Sequence, residues 1–201
     1  MPLKTKVLIS SVTNLSDARY ATGMGADFIG FSMNDGDSDF IGYTNYTAIT
    51  TWLLDMTFAG EFNNTATATM IDERAIEFGF KTIIVTENSI VDDLKGKGYA
   101  IILKQYIENN EDILALSKLK TAADYVVIES KDNFQPTIDN ISLLSSHIPL
   151  LIGTALSPDT INELIENTDM EGIALKGSEE IRTGFVDLDA MADLLEAIEI
   201  D

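Results

Sequence analysis

Cysteine is absent from the 201-residue chain, so it can form no disulfide, no thiolate metal site and no thiol nucleophile. Histidine is nearly absent too. His147 stands alone ahead of an apolar run, where it is expected to cap or solvate the end of a helix rather than to take part in catalysis. Cations are scarce: 13 Lys and Arg face 33 Asp and Glu, a formal net charge of −20. That balance rules against a nucleic acid or an anionic membrane as the main partner. No run approaches the roughly 18 apolar residues of a membrane span, and Val7 to Val12 is too short for a signal-peptide core. A soluble, cytoplasmic protein is the expectation. No Pro/Gly/Ser-rich linker or low-complexity tract divides the chain, which points to one domain over residues 1–201.

What is present is a period. Eight short apolar runs, each followed by helical spacing, recur about every 25 residues. They are Val7 to Ser11, Asp27 to Met33, Thr57 to Phe62, Lys81 to Thr86, Tyr99 to Lys104, Asp124 to Ser130, Pro149 to Gly153 and Glu171 to Lys176. Most are continuous rather than alternating, as expected of parallel strands covered on both faces. Between and after them, helical patterns cover 16–24, roughly 45–55, 67–79, 88–97, 109–120, 136–146, a stretch opening at Ser157-Pro158-Asp159, and 187–199. Ser16 can cap the first, and Pro158 suits a first helical turn. Trp52, Leu53 and Leu54 are expected to face the barrel, with Met24, Met56, Met70 and Met191 filling gaps. The fold class is α/β, a (β/α)8 TIM barrel. A doubly wound sheet is the alternative, disfavoured because no phosphate-loop motif follows the first strand. In such a barrel the chemistry belongs at the C-terminal ends of the strands.

Several segments along most of the chain resemble the phosphoribosylanthranilate isomerase family of tryptophan biosynthesis. They are Ile9-Ser10-Ser11-Val12-Thr13-Asn14-Leu15-Ser16-Asp17-Ala18, Gly25-Ala26-Asp27-Phe28-Ile29-Gly30-Phe31, Ala123 to Ser130, Leu156 to Asp159, and Gly172 to Leu175 with Thr183 to Asp187. The resemblance implies an Amadori rearrangement, in which an acid protonates the ribose ring oxygen and a base removes a proton from the adjacent carbon. In the family an aspartate ends strand 6 and a cysteine ends strand 1. Glu129 and Ser10 stand at the matching positions, as the implied acid and base. The glutamate carries its carboxyl one methylene further out, and a misplacement of about 1 Å can cost on the order of 100-fold in rate. The serine is a larger change. A thiol titrates near 8.5 and an alcohol closer to water's about 15.7, a gap of roughly 7 units or on the order of 10 kcal/mol for unaided deprotonation.

The family's substrate contacts are thinned as well. Its lysine near the strand 1 terminus aligns with Leu8, its strand 2 loop arginine has no counterpart between Asn34 and Gly42, and its strand 4 histidine is missing around Val85 to Asn88. The phosphate-binding positions implied by the resemblance are Gly153, Thr154 and Ala155 after strand 7, with Lys176, Gly177 and Ser178 after strand 8. Thr154 and Ala155 replace a glycine pair, and Ser178 replaces the glycine that opens a short helix, so only a partial anion site is expected.

Charge around the mouth points the same way. Asp35, Asp37, Asp39, Glu61, Glu87, Glu129, Asp132, Glu179 and Glu180 oppose Lys104, Lys131, Lys176 and Arg182, a field that repels a doubly charged phosphate ester. Acidic neighbours raise a lysine pKa, so Lys104 and Lys176 are expected in an interior ion pair with Glu61 or Glu129 rather than as Schiff-base amines. Two readings follow: an isomerase of this type with activity weak or lost, or a repurposed barrel. The repurposed barrel would bind a neutral or cationic small molecule, or a divalent cation held by Glu61 and Glu129, at its acidic mouth. Neither an organic cofactor nor a resident metal is implied by the resemblance.

Overall fold

The computed structural model describes residues 2–131, 134–178, 180–182 and 185–200, with backbone alone for 180–182 and 185–186. Asp132, Glu179 and the Thr183-Gly184 pair lie outside the described residues, as do the side chains of Glu180 and Arg182.

Eight strands close into a barrel in chain order: β1 (Lys6–Ser10), β2 (Phe28–Ser32), β3 (Thr57–Phe62), β4 (Thr82–Val85), β5 (Ala100–Ile107), β6 (Tyr125–Ser130), β7 (Leu150–Ile152) and β8 (Gly172–Lys176). Every neighbouring pair is parallel, and β1 closes the ring on β8 from Lys6↔Gly172 to Ser10↔Lys176. The helices α1 (Leu15–Met24), α2 (Tyr43–Thr50), α3 (Ala68–Phe78), α4 (Val91–Gly96), α5 (Asn110–Leu116), α6 (Ile138–Ser145), α7 (Ile161–Asn167) and α8 (Asp189–Ala197) alternate with them. A two-stranded hairpin, β9 (Glu180–Arg182) with β10 (Phe185–Val186), follows β8 where the resemblance implied a short helix. No helix among the described residues is long and apolar enough to cross a membrane.

The alternation of the strands builds two apolar clusters. Outward-facing residues such as Val7, Ile9, Ile29, Phe31, Ile83, Ile101 and Ile173 pack under the helices. Inward-facing Leu8, Ala59, Ile84, Ile102, Val127, Leu151 and Ala174 fill the barrel, with Phe28 and Tyr125 stacked obliquely beneath them, ring centroids 5.7 Å apart. The floor is fastened alike at two places half a barrel apart. Asp27 brackets Val7, donating its N–H to the Val7 carbonyl and accepting the Val7 N–H on Oδ2 at 2.8 Å. Asp124 treats Ile101 in the same way, at 2.7 Å, and is also held by Lys95 Nζ.

Element ends depart from expectation where local polar bonds or tertiary pairing decide. Asn14, not Ser16, caps α1, accepting the Asp17 N–H at 2.9 Å. Ser157 accepts the Thr160 N–H on Oγ, Pro158 to Thr160 form a turn, and regular helix begins only at Ile161. Strand β5 runs three residues past Lys104 because β6 pairs with it as far as Ile107↔Ser130. Helix α2 stops at Thr50, which leaves Trp52 73% and Leu54 82% exposed while Leu53 is buried. Met70 also faces solvent, on the side of α3 opposite Ile71, Ala75 and Phe78.

Candidate functional site

A strand residue two places beyond an inward-facing one also points inward, a layer closer to the C-terminal mouth. Counting on from Leu8, Ala59, Ile102, Val127 and Ala174 gives Ser10, Glu61, Lys104, Glu129 and Lys176. The apolar plug is therefore roofed by a charged layer. At its centre Lys104 Nζ lies 3.0 Å from Glu129 Oε1 and 3.7 Å from Glu61 Oε2, so it serves both carboxylates. Glu61 also accepts the Ser11 N–H on Oε1 at 2.6 Å.

Two glycines make the room. A Cβ on Gly30 would overlap Glu61 Oε1, and one on Gly153 would come to 3.0 Å from Glu129 Cγ. Burial pushes the Glu61 carboxyl above its ordinary range, by more than Lys104 and the Ser11 N–H pull it down. Burial acts on Lys104 in the opposite sense, but Glu61 and Glu129 outweigh it and hold the ammonium above the usual lysine range. Lys104 is thus a charged interior ion-pair partner.

Ser10 does reach the mouth layer. It is 2% exposed and donates its hydroxyl to the Leu175 carbonyl at 3.2 Å. Among the described residues no carboxylate or imidazole accepts from it. Glu129, 29% exposed at its side chain, is brought to the same layer as Ser10 and is engaged by Lys104. Leu8, at the position of the family's lysine, is fully buried in the barrel interior. His147 follows α6 with Nδ1 2.9 Å from the Leu143 carbonyl, ahead of β7 and so at the end of the barrel opposite the mouth.

Gly153 directly follows β7, its N–H donated to the Ile128 carbonyl, and Thr154 and Ala155 come after it half-buried. Ala155 has φ 56° and Ser11 has φ 52°, both in the left-handed region that favours glycine. On the other side, Lys176 is exposed and makes no ion pair with a described residue, against the expected interior pairing, because Lys104 already serves both Glu61 and Glu129; Gly177 is wedged against Asp17, Ser11 and Val12. The Ser178 N–H is donated to Asp17 Oδ2 at 2.6 Å. Asp17 is fully buried, takes a second bond from Asn14 Nδ2, and leaves Oδ1 buried without a hydrogen-bond partner among the described residues; burial raises its pKa. Sequence reasoning missed Asp17 and Gly30. Asp17 was legible only as a helix-start residue, because its partner Ser178 is 161 residues away.

Two adjoining cavities open at this end. One, of about 180 Å³, is lined by Glu61, Lys104, Tyr106 and Asp37, with hydroxyl and amide groups of Ser32, Asn34, Asn63 and Thr86. The other, of about 570 Å³, is lined by Lys176, Ser178 and residues of the first two strand loops, and the two share Ser11 and Asp39. The Thr86 Oγ1 atom is buried with no partner. Lys104 already stands between Glu61 and Glu129, and among the described residues no group of three His, Cys, Asp or Glu side chains is gathered to hold a metal ion.

Neither protein-family models nor curated proteins match the chain. Solved structures do. The phosphoribosyl anthranilate isomerase from Thermotoga maritima superposes with a TM-score of 0.79 at 17% identity, covering 96% of this chain and 98% of that chain. A phosphoribosyl anthranilate isomerase in complex with reduced 1-(o-carboxyphenylamino)-1-deoxyribulose 5-phosphate gives 0.77 at 18% identity, covering 96% and 98%. A 3-hexulose-6-phosphate synthase gives 0.68 at 14%, covering 97% and 100%. The chain shares the barrel fold of these enzymes over almost its whole length.

Proposed function

We propose that this chain, as one domain over residues 1–201 and in the cytoplasm, is a repurposed barrel on the phosphoribosylanthranilate isomerase scaffold. It binds a small neutral or cationic ligand at its C-terminal mouth, and Amadori-type isomerisation is weak or lost. One observation carries the reading: Lys176 apart, three of the donors that an anionic sugar phosphate would meet are already held by the chain's own carboxylates. Ser11 N–H is held by Glu61, Ser178 N–H by Asp17, and the buried Lys104 by Glu61 and Glu129. A phosphate entering there would replace charge-assisted bonds already made and would bring negative charge beside three carboxylates.

The isomerase reading assigns Glu129 as acid, Ser10 as base, and Gly153, Thr154, Ala155, Lys176, Gly177 and Ser178 as the phosphate cradle. Against it, Ser10 needs a base to take its proton, and its hydroxyl is turned to a carbonyl oxygen. The cradle keeps one free cation among the described residues, Lys176, and has lost the Ser178 N–H to Asp17. Complementation of a tryptophan auxotroph lacking the isomerase separates the readings. The natural sequence is expected to fail, as is Ser10→Cys, because the cradle and not only the base has changed. Growth on the natural sequence would overturn the proposal; growth on Ser10→Cys alone would restrict the loss to the base.

A further inference from the structure

We propose that the ligand of the mouth is a zwitterion, a small molecule with an ammonium at one end and a carboxylate at the other; this rests on the mouth being a ligand site, as proposed above. Among the described residues, the cavity of about 570 Å³ is lined by one cation, Lys176, and one anion, Asp39. Neither forms an ion pair with a described residue, so the two opposite charges face one space without meeting. A molecule carrying both signs, placed between them, satisfies both at once, whereas a single-charge ligand leaves one of them uncompensated.

The surroundings of each charge agree with that orientation. The same cavity offers hydroxyls of Thr13 and of Ser178, two residues on from Lys176, and the Asn45 amide, which can donate to a carboxylate. Asp39 also lines the adjoining cavity of about 180 Å³, together with Asp37 and Glu61. Lys104 there is already shared by Glu61 and Glu129, so the second cavity keeps an excess of negative charge for an ammonium. The ammonium end therefore points towards β3 and the carboxylate end towards β8. A doubly charged phosphate ester is a poorer fit, since it lacks the positive end that Asp39 and its neighbours need.

The test is a titration of isotope-labelled full-length protein followed by NMR. The probes are glycine, 4-aminobutyrate and 6-aminohexanoate, with butylamine and butyrate as single-charge controls and ribose 5-phosphate as the phosphate ester. At least one amino acid is expected to bind about tenfold or more tightly than both controls, with shifts at Asp39 and Lys176. Asp39→Asn and Lys176→Met, both in solvent-accessible positions, are each expected to erase that advantage while leaving the rest of the spectrum in place. Butylamine binding as tightly as every amino acid would overturn the zwitterion and leave the proposed function standing. Ribose 5-phosphate binding most tightly would overturn both, and no binding of any probe would overturn the inference.

Discussion

Replacing Lys104 with methionine removes the only cation bonded to Glu61 in the described structure while keeping most of the buried volume. Glu61 is 6% exposed, so its carboxylate is left with the Ser11 N–H, a long bond from the Ser11 hydroxyl and little water. Breaking a buried ion pair by removing one partner costs about 3–5 kcal/mol. The lower figure applies here, about 3 kcal/mol near neutral pH, because the Glu61 pKa is already raised by burial and the side chain can take a proton instead of staying charged. The sign with pH follows. Without Lys104 the folded-state pKa of Glu61 climbs further, so stability is retained at low pH and lost as pH rises through that value. The deficit against wild type should therefore shrink on acidification, and Lys104→Met with Glu61→Gln should recover most of it at neutral pH. Urea denaturation at several pH values measures all of this. A deficit below about 0.5 kcal/mol at neutral pH, or one that grows on acidification, would refute the picture of a charged interior layer.

Gly30→Ala is expected to destabilise by about 2–4 kcal/mol, from overpacking plus displacement of Glu61 from the Ser11 N–H, again by urea denaturation. Ala155→Gly should stabilise by about 0.5 kcal/mol, the relief of a left-handed alanine exceeding the added chain entropy; a loss of stability would contradict the positive φ. Asp17→Asn should gain on wild type as pH rises above the ordinary aspartate range of about 4. The wild-type carboxyl has a raised folded-state pKa, so its contribution is present below the unfolded value and lost as pH rises through the folded one. Trp52→Phe should change stability by less than about 0.5 kcal/mol, and Trp52 fluorescence should be readily quenched by acrylamide, since the ring is 73% exposed.

The barrel was legible because its signal is repeated eight times and each strand is covered on both faces, so apolar continuity marks it without help from distant residues. Ends were less legible. Strand β5 continues through Gln105 and Tyr106, residues with no apolar continuity, because β6 holds them. Trp52 and Leu54 show the converse: they are apolar, and nothing packs on them once α2 stops at Thr50.

At the mouth, the expected interior pairing of Lys104 with Glu61 or Glu129 is present with both. Opposite charges on inward positions of β3, β5 and β6 have no other cheap way to be buried. Asp17 was opaque for a different reason. Its role depends on the Ser178 N–H brought round by barrel closure, and a backbone donor leaves no trace in the identity of residue 178. The hairpin after β8 likewise carries no turn dipeptide strong enough to displace the expectation of a helix.

The central claim is that the mouth's own carboxylates have taken the bonds a sugar phosphate would need. Calorimetric titration with reduced 1-(o-carboxyphenylamino)-1-deoxyribulose 5-phosphate, the compound bound in a structurally similar isomerase, tests it most directly. No saturable heat at physiological ionic strength is the expected result for this chain, and micromolar binding would contradict it.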